Sequence, residues 1–348
     1  MEGSLNDMAG GSIRIADGQG QAFVCAPGDS ILAGALRSGL GFPYECNSGG
    51  CGSCQFELVE GAVADLWPAA PGISERQRGR GRRLACQSVP LGDCTVKVAL
   101  DPGSVPPVLP AAVRAVFESR RQLTADMAEF AFRSEGPAGF RPGQYAMLRF
   151  EGLGSARAYS MCNLANPAGE WRFIVKRMAG GAATALLFDD LRPGDRLMLD
   201  GPFGKAWLRT GNGRDIVCIA GGSGLSPVMS ILRGAAASPD LAGRRLMLFH
   251  GGRGPADLCA AAMLDAEPDL RGRVELHVAI SDTNAPGAGQ WQGARGMIHE
   301  LVRAQLGDRM ADFDYYFCGP PPMTDAVHRM LLIEAKVPAQ QLHFDRFY

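Results

Sequence analysis

The sequence predicts three domains of different class: a small mixed α+β unit, an antiparallel β-barrel and a parallel α/β sheet. Three observations carry that expectation. A loop of closely spaced cysteines and glycines interrupts short strands near the start of the chain. A proline-rich connection, PGSVPPVLP at residues 102–110, separates that unit from the remainder of the chain. At Asp215 densely spaced short strands give way to strands alternating with helical stretches. The expected divisions are residues 1–101, a linker at 102–110, then 111–211 and 212–348. A chain of 348 residues lets each part bury its own core.

In the first part, residues 12–16 and 21–26 read as two strands around Asp17-Gly18-Gln19-Gly20, a hairpin signal. Asp29 or Ser30 caps the apolar run ILAGALRSG, predicting a short helix that ends at Gly39. Two further strands are expected at 56–63 and 94–99. Between helix and strand stand Cys46, Cys51 and Cys54 in C-x4-C-x2-C spacing, with Gly49, Gly50 and Gly52 among them and Cys86 following in LACQ. Four thiolates so spaced suit a plant-type [2Fe–2S] cluster, and the glycines let the backbone approach it closely. A structural zinc site would favour paired Cys-x2-Cys knuckles, and a disulfide framework suits a small secreted chain.

The second part opens with AVRAVFES, followed by MAEFAFRS, QYAMLRF, RAYSMC, WRFIVKR and DRLMLDGP, short strands separated by turns as in a barrel. Only AATALLFDDL, residues 182–191, reads as helical. Arg157, Tyr159 and Ser160 lie on one of these strands: a guanidinium that can fork onto a phosphate, an aromatic ring and a neighbouring hydroxyl. An ordinary amphipathic strand would look similar. Gly180 and Gly181, with Thr184 at the start of the expected helix, offer bare N–H groups suited to a pyrophosphate.

In the third part, DIVCIAGG, RRLMLFHGG, RVELHVAIS, DYYFCGP and QLHFDRF read as buried strands with helices between most of them, so ligands are expected beyond the strand C-termini. Gly221, Gly222, Gly224 and Pro227 lie between strand and helix, a context that accommodates phosphate without the G-x-G-x-x-G fingerprint. The second strand ends at His250-Gly251-Gly252-Arg253 with no acid at its tip, and Arg253 suits a 2′-phosphate. These residues leave NADH and NADPH both open. Cys318-Gly319 closes another strand and places a thiol at the crevice, where a plain buried cysteine is the alternative.

Composition narrows the classes of function. The net charge of −1 gives no electrostatic case for nucleic acid. MEGSLNDMAGGS has neither a basic n-region nor an apolar h-region, so no secretory or transit signal is expected. The longest uncharged run, 216–232, is too short and too punctuated by glycine and proline to span a bilayer. Ten cysteines fit a reducing, cytoplasmic setting. The five histidines are scattered and form no acid–base constellation.

Taken together, ECNSGGCGSCQFELVEG, LWPAAPG, LACQ, RAYS, GGSGLSP, CGPPPM and HFDRFY resemble the ferredoxin–NAD reductase family serving bacterial aromatic-ring oxygenases. The wording is nearest to reductases of toluene and xylene monooxygenases, and reductases of Rieske dioxygenases match almost as well. The resemblance covers the chain from about Gly20 to Tyr348. It implies a β-grasp [2Fe–2S] ferredoxin domain, an FAD-binding barrel and an NAD-binding domain of ferredoxin reductase type. It further implies Arg157, Gly180, Gly181 and Thr184 on the FAD pyrophosphate, with Tyr159 and Ser160 beside the isoalloxazine. Gly221, Gly222, Gly224, Pro227 and Gly319 would shape the NADH site, Cys318 would lie near the reacting nicotinamide carbon, and Phe347 would cover the flavin. Relatives often have Ser at the position of Thr184 and Tyr at that of His250, and Tyr348 adds a second ring beside Phe347.

These parts answer a mismatch in electron count, because NADH gives two electrons as one hydride whereas the cluster takes one. A flavin between them accepts the pair and releases it singly. Nothing in the chain resembles an oxygen-activating 2-His-1-carboxylate site, so electrons are expected to leave for a Rieske-type ferredoxin or an oxygenase component. Arg76, Arg78, Arg80, Arg82 and Arg83 precede the fourth cysteine and form a candidate basic rim for that partner, or a solvated arginine-rich loop. A monomer is expected. The alternatives are a reductase of the same build using NADPH or serving a non-oxygenase acceptor, and an iron–sulfur carrier whose other domains have become scaffold.

Overall fold

A computed structural model describes residues 10–16, 20–150, 152–153 and 156–347. Asp17, Gly18 and Gln19 of the expected hairpin turn, and Tyr348, lie outside the described residues.

The first sheet has five strands in the order Ala22–Cys25, Gly11–Ile15, Cys94–Lys97, Gln55–Glu60 and Arg82–Leu84. Alternation places it: Ile13 and Ile15 point into the core while Arg14 faces out. Gly11–Ile15 pairs antiparallel with Ala22–Cys25 and parallel with Cys94–Lys97, so the sheet is mixed. Ser30 proves to be the helix cap, its hydroxyl accepting from Ala33 N at 3.2 Å, and Ile31–Arg37 lays an apolar face on the sheet. The helix cannot continue past Gly39, whose φ of +75° is left-handed. A small second sheet pairs Val63–Asp65 with Ser88–Pro90.

Six antiparallel strands follow, in the order Arg157–Ser160, Tyr145–Arg149, Arg196–Phe203, Ala111–Thr124, Met127–Ser134 and Glu170–Lys176. The bridge Met161↔Phe173 and the bond from Cys162 N to Arg172 O at 2.8 Å join the two ends, closing a barrel. Phe117, Phe130, Phe132, Trp171 and Phe173 fill it. The helical segment expected near residue 182 runs from Ala182 to Asp190.

The last sheet is parallel, in the order Ala294–Arg295, Val274–Ile280, Leu246–Gly252, Asp215–Gly221, Phe313–Cys318 and Leu342–His343. Chain order reverses beside Asp215–Gly221, which puts the ligand crevice outside its C-terminal end. Helix Leu225–Ala237 starts at that point. The expected strand QLHFDRF is shorter than its pattern suggests: only Leu342–His343 pairs, because the tail then leaves the sheet to bond with the barrel. Among the described residues no helix is long and apolar enough to cross a membrane.

Candidate functional site

The cysteine loop gathers its thiols as two pairs. Cys54 Sγ lies 3.3 Å from Cys86 Sγ, and Cys51 is joined to Cys46 through its backbone N. Ser48 N and Cys51 N point at Cys46 Sγ, and Ser53 N points at Cys51 Sγ, each at 3.4 Å. Cys51 and the Ser48 donors, opposed by burial, hold the Cys46 thiol well below its ordinary value. Among the described residues no three metal-ligating side chains converge on one point. Two pairs of thiols ringed by N–H donors fit two irons better than one tetrahedral zinc, which would draw all four to a single centre. Gly49 and Gly52 have φ of +87° and +78°, and a Cβ on Gly52 would stand 2.6 Å from Gly72 O, so glycine is required there.

A pocket opens between the barrel and the parallel sheet, and Ser160, Pro227, Cys318, Asp345 and Phe347 all line it. Ser160 reaches it from the strand that carries Arg157 and Tyr159. Burial pushes the Tyr159 hydroxyl up to about 12, with Arg157 working against the rise. Burial also raises the Cys318 thiol to about 12, Asp345 adding to the rise, so Cys318 stands there as a neutral, polarisable wall. Thr184 turns inward: its hydroxyl accepts from Met178 N at 3.2 Å and lies 3.0 Å from Gly181 O. Gly181 N is not the bare donor expected, since it donates to Met178 O at 3.0 Å, while Gly180, with φ of +71°, leaves open space above the turn.

At the crevice, backbone packing demands glycine at 224, while Gly221 and Gly319 lie against the flexible end of Met323. A Cβ on Gly224 would meet Cys318 O at 2.0 Å, and one on Gly319 would meet the Met323 methyl at 2.5 Å. Gly222, with φ of +54°, faces Lys176, which reaches from the barrel to Asp126 at 3.1 Å and Asp257 at 3.8 Å. His250 is fully buried and burial lowers it to about 4, so its ring is neutral. Arg253 is exposed and its backbone N donates to Asp257 Oδ2 at 2.9 Å; Asp282, just past the neighbouring strand, donates its backbone N to Arg253 O at 2.9 Å while its carboxylate accepts from Asn284 N at 2.8 Å.

The cluster loop joins this junction through one side chain. Tyr145 is fully buried, pairs with Ser160 in register, meets Phe347 edge-to-face at 5.2 Å and donates to Glu45 O at 2.6 Å. Glu45 adjoins Cys46. Beside it, Gly204 N donates to Tyr44 Oη at 3.0 Å, and Arg37 forks between Asp29 and Asp200, each at 2.7 Å.

Comparison with known proteins agrees with this geometry. Residues 15–91 match the 2Fe-2S iron-sulfur cluster binding domain, 114–207 the oxidoreductase FAD-binding domain and 218–329 the oxidoreductase NAD-binding domain. The chain is 43% identical over 334 residues to ferredoxin–NAD(P)(+) reductase CarAd of Metapseudomonas resinovorans, covering 95% of this chain and 98% of that one. The chain belongs to the ferredoxin–NAD(P)(+) reductase family. The reductase is also 32% identical to the xylene/toluene monooxygenase electron transfer component XylA of Pseudomonas putida, over 95% of its own length and 92% of XylA. A solved ferredoxin reductase in carbazole 1,9a-dioxygenase superposes on it with a TM-score of 0.89 at 39% identity, covering 98% of this chain and 99% of that one. It is thus an oxidoreductase flavoprotein with [2Fe–2S], FAD and NAD domains.

Three groups of the reductase site escaped the sequence reading. Ser226 Oγ donates to Ser160 O at 2.6 Å and accepts from Ile174 N at 2.9 Å, tying the nucleotide helix to two barrel strands. Ser230 bonds to Asn163 O at 2.7 Å and Arg233 to Cys162 O, so positions 226, 230 and 233 form one polar stripe. That stripe, at helical spacing in an otherwise apolar run, was the available signal. Asp345 and Asp282 had no local signal, since chain reversal and sheet order create their surroundings.

Proposed function

We propose that the reductase takes a hydride from NADH and delivers single electrons to a Rieske-type ferredoxin or an oxygenase component of a multicomponent aromatic-hydrocarbon oxygenase. The observation that carries this reading is Tyr145, one buried ring touching both Phe347 in the flavin pocket and the backbone beside Cys46. FAD bound there would supply the conversion of a two-electron hydride into the single electrons that a [2Fe–2S] cluster can take. Arg157 and the Gly180–Gly181 turn, held in shape by Thr184, receive its pyrophosphate, and Tyr159 and Ser160 lie beside its ring. Gly221, Gly222, Gly224, Gly319 and Pro227 admit the dinucleotide, Cys318 backs the nicotinamide, and Phe347 covers the flavin until nicotinamide arrives. Cys46, Cys51, Cys54 and Cys86 hold the cluster.

NADH is the proposed donor, and NADPH, whose 2′-phosphate the exposed Arg253 would suit, is the alternative. The division into 1–101, 102–110, 111–211 and 212–348, a monomeric state and a cytoplasmic setting belong to the same proposal. The names of the relatives, a carbazole dioxygenase reductase and a xylene/toluene monooxygenase component, support an aromatic-ring system as the recipient. An anaerobic visible spectrum titrated with NADH and with NADPH tests it. Flavin and cluster absorption bleached much faster by NADH is expected; a cluster spectrum without flavin, or one neither nucleotide bleaches, overturns it. In the same assay Cys51→Ser is expected to abolish transfer to an external ferredoxin while NADH-to-ferricyanide activity persists. Loss of both would show that flavin and cluster halves do not act independently.

A further inference from the structure

We propose that the face formed by Leu66, Trp67, Arg76, Arg80 and Arg82 is the docking surface for the electron acceptor, and that this acceptor is an acidic one-electron redox protein. This deepens the reductase reading and rests on it. The cluster loop has two sides. Its inner side, at Tyr44 and Glu45, is bonded to the barrel. Of the four cysteines, Cys46, Cys54 and Cys86 are buried and Cys51 is partly exposed.

The segment 66–72 packs on the cluster loop itself. A Cβ on Gly49 would stand 3.2 Å from the Trp67 ring and 3.3 Å from Ala70, and Gly72 N donates to Gly49 O at 2.9 Å. Trp67 therefore touches the loop between Cys46 and Cys51 while 43% of it remains exposed, with Leu66 beside it at 36%. An indole and a leucine left open together form the apolar centre that a transient interface uses.

Charge chooses the partner. The segment carrying the arginines is anchored to the cluster loop: Gln77 donates to Gln55 at 3.1 Å, and Gln55 donates to Gly72 O at 2.9 Å. Ser74 and Gln77 close a capping box that fixes the turn Glu75–Arg78. Arg78 is taken by Asp65 at 3.0 Å, and Arg83 by the carbonyls of Arg78 and Arg82. Arg76, Arg80 and Arg82 are exposed and make no ion pair among the described residues. Glu75 on the same turn and Glu57, opposite Arg82 in the strand pair, offset part of this charge and leave a cationic rim. Such a rim speeds encounter with an anionic surface and slows it with a cationic one.

Titration calorimetry on the oxidised holoprotein tests this, with an acidic plant-type [2Fe–2S] ferredoxin and a basic mitochondrial cytochrome c as probes. Wild type is expected to bind the ferredoxin, more weakly as NaCl rises. The triple variant Arg76→Glu/Arg80→Glu/Arg82→Glu is expected to lose roughly tenfold or more in affinity for ferredoxin and to gain affinity for cytochrome c. Trp67→Ala is expected to weaken ferredoxin binding with the salt slope unchanged, and Leu66→Ser gives the same reading if Trp67→Ala fails to hold its cluster spectrum. Equal binding of ferredoxin by wild type and the triple variant, or a wild-type preference for cytochrome c, overturns the proposal. Because binding is read without NADH, these outcomes stand apart from the nucleotide titration that tests the reductase reading.

Discussion

At Asp345 the C-terminal tail lends a carboxylate to the backbone N–H groups of Lys205 at 3.0 Å and Ala206 at 3.4 Å. Burial raises this acid from 3.8 to about 6, against the pull of those two donors. A carboxyl whose folded value is raised stabilises the fold most when protonated, so its contribution is complete below about 4 and lost as pH climbs through about 6. The loss is on the order of 2–3 kcal/mol, because each tenfold change in proton affinity is worth about 1.4 kcal/mol. Asp345→Asn is therefore expected to flatten the dependence of melting temperature on pH between about 4 and 6; parallel curves for both proteins would contradict it. Phe347→Ala removes the ring set against Tyr145, and we expect the preference for NADH over NADPH and the KM for both to change in steady-state assays. Unchanged constants would mean that this ring does not cover the flavin. Residues of this kind differ sharply in legibility. The four cysteines announced themselves because three of them sit in one loop and the chemistry fixes their spacing, whereas the environment of Asp345 is made by a barrel loop 140 residues away in sequence.

Among the elements, helix Leu225–Ala237 joins the barrel to the parallel sheet. Ser226→Ala would leave Ile174 N without its acceptor in the core, a loss of about 1–3 kcal/mol. Denaturant unfolding is expected to show that loss, and a midpoint within error of wild type would show that another group takes over the bond. Strands were legible where alternation or a full apolar run marked them, as in Gly11–Ile15 and Asp215–Gly221. The three-residue strands Val63–Asp65, Arg82–Leu84 and Ser88–Pro90 were missed, because so short a stretch carries no period and Arg82–Leu84 reads as part of an arginine-rich loop. QLHFDRF failed in the opposite sense: its apolar pattern reflects burial against the barrel and the pocket lined by Ser160 and Cys318, with only two residues of ladder.

Across the whole molecule the seams are unequal. The barrel and the parallel sheet share a core that mixes Met127, Cys162 and Ile174 with Val228 and Ile231, and the stripe on the 225–237 helix locks it. The cluster unit meets the barrel through Tyr44, Tyr145, Phe203 and the Arg37 fork. Combining Arg37→Ala with Tyr145→Phe is expected to slow cluster reduction by NADH in stopped-flow while flavin reduction persists, and to speed proteolysis within 102–110. Equal cluster-reduction rates would show that these contacts do not set the distance between the centres. The proline-rich connection is itself docked on the barrel, Lys205 reaching Ser104 Oγ at 3.3 Å and Asp101 at 3.5 Å. Tyr145, Met147 and Phe203 of the barrel sit in the same core as Phe42, Phe56 and Cys86, with Phe347 against it, so an alteration on either side of this seam is felt at both the cluster loop and the C-terminal tail.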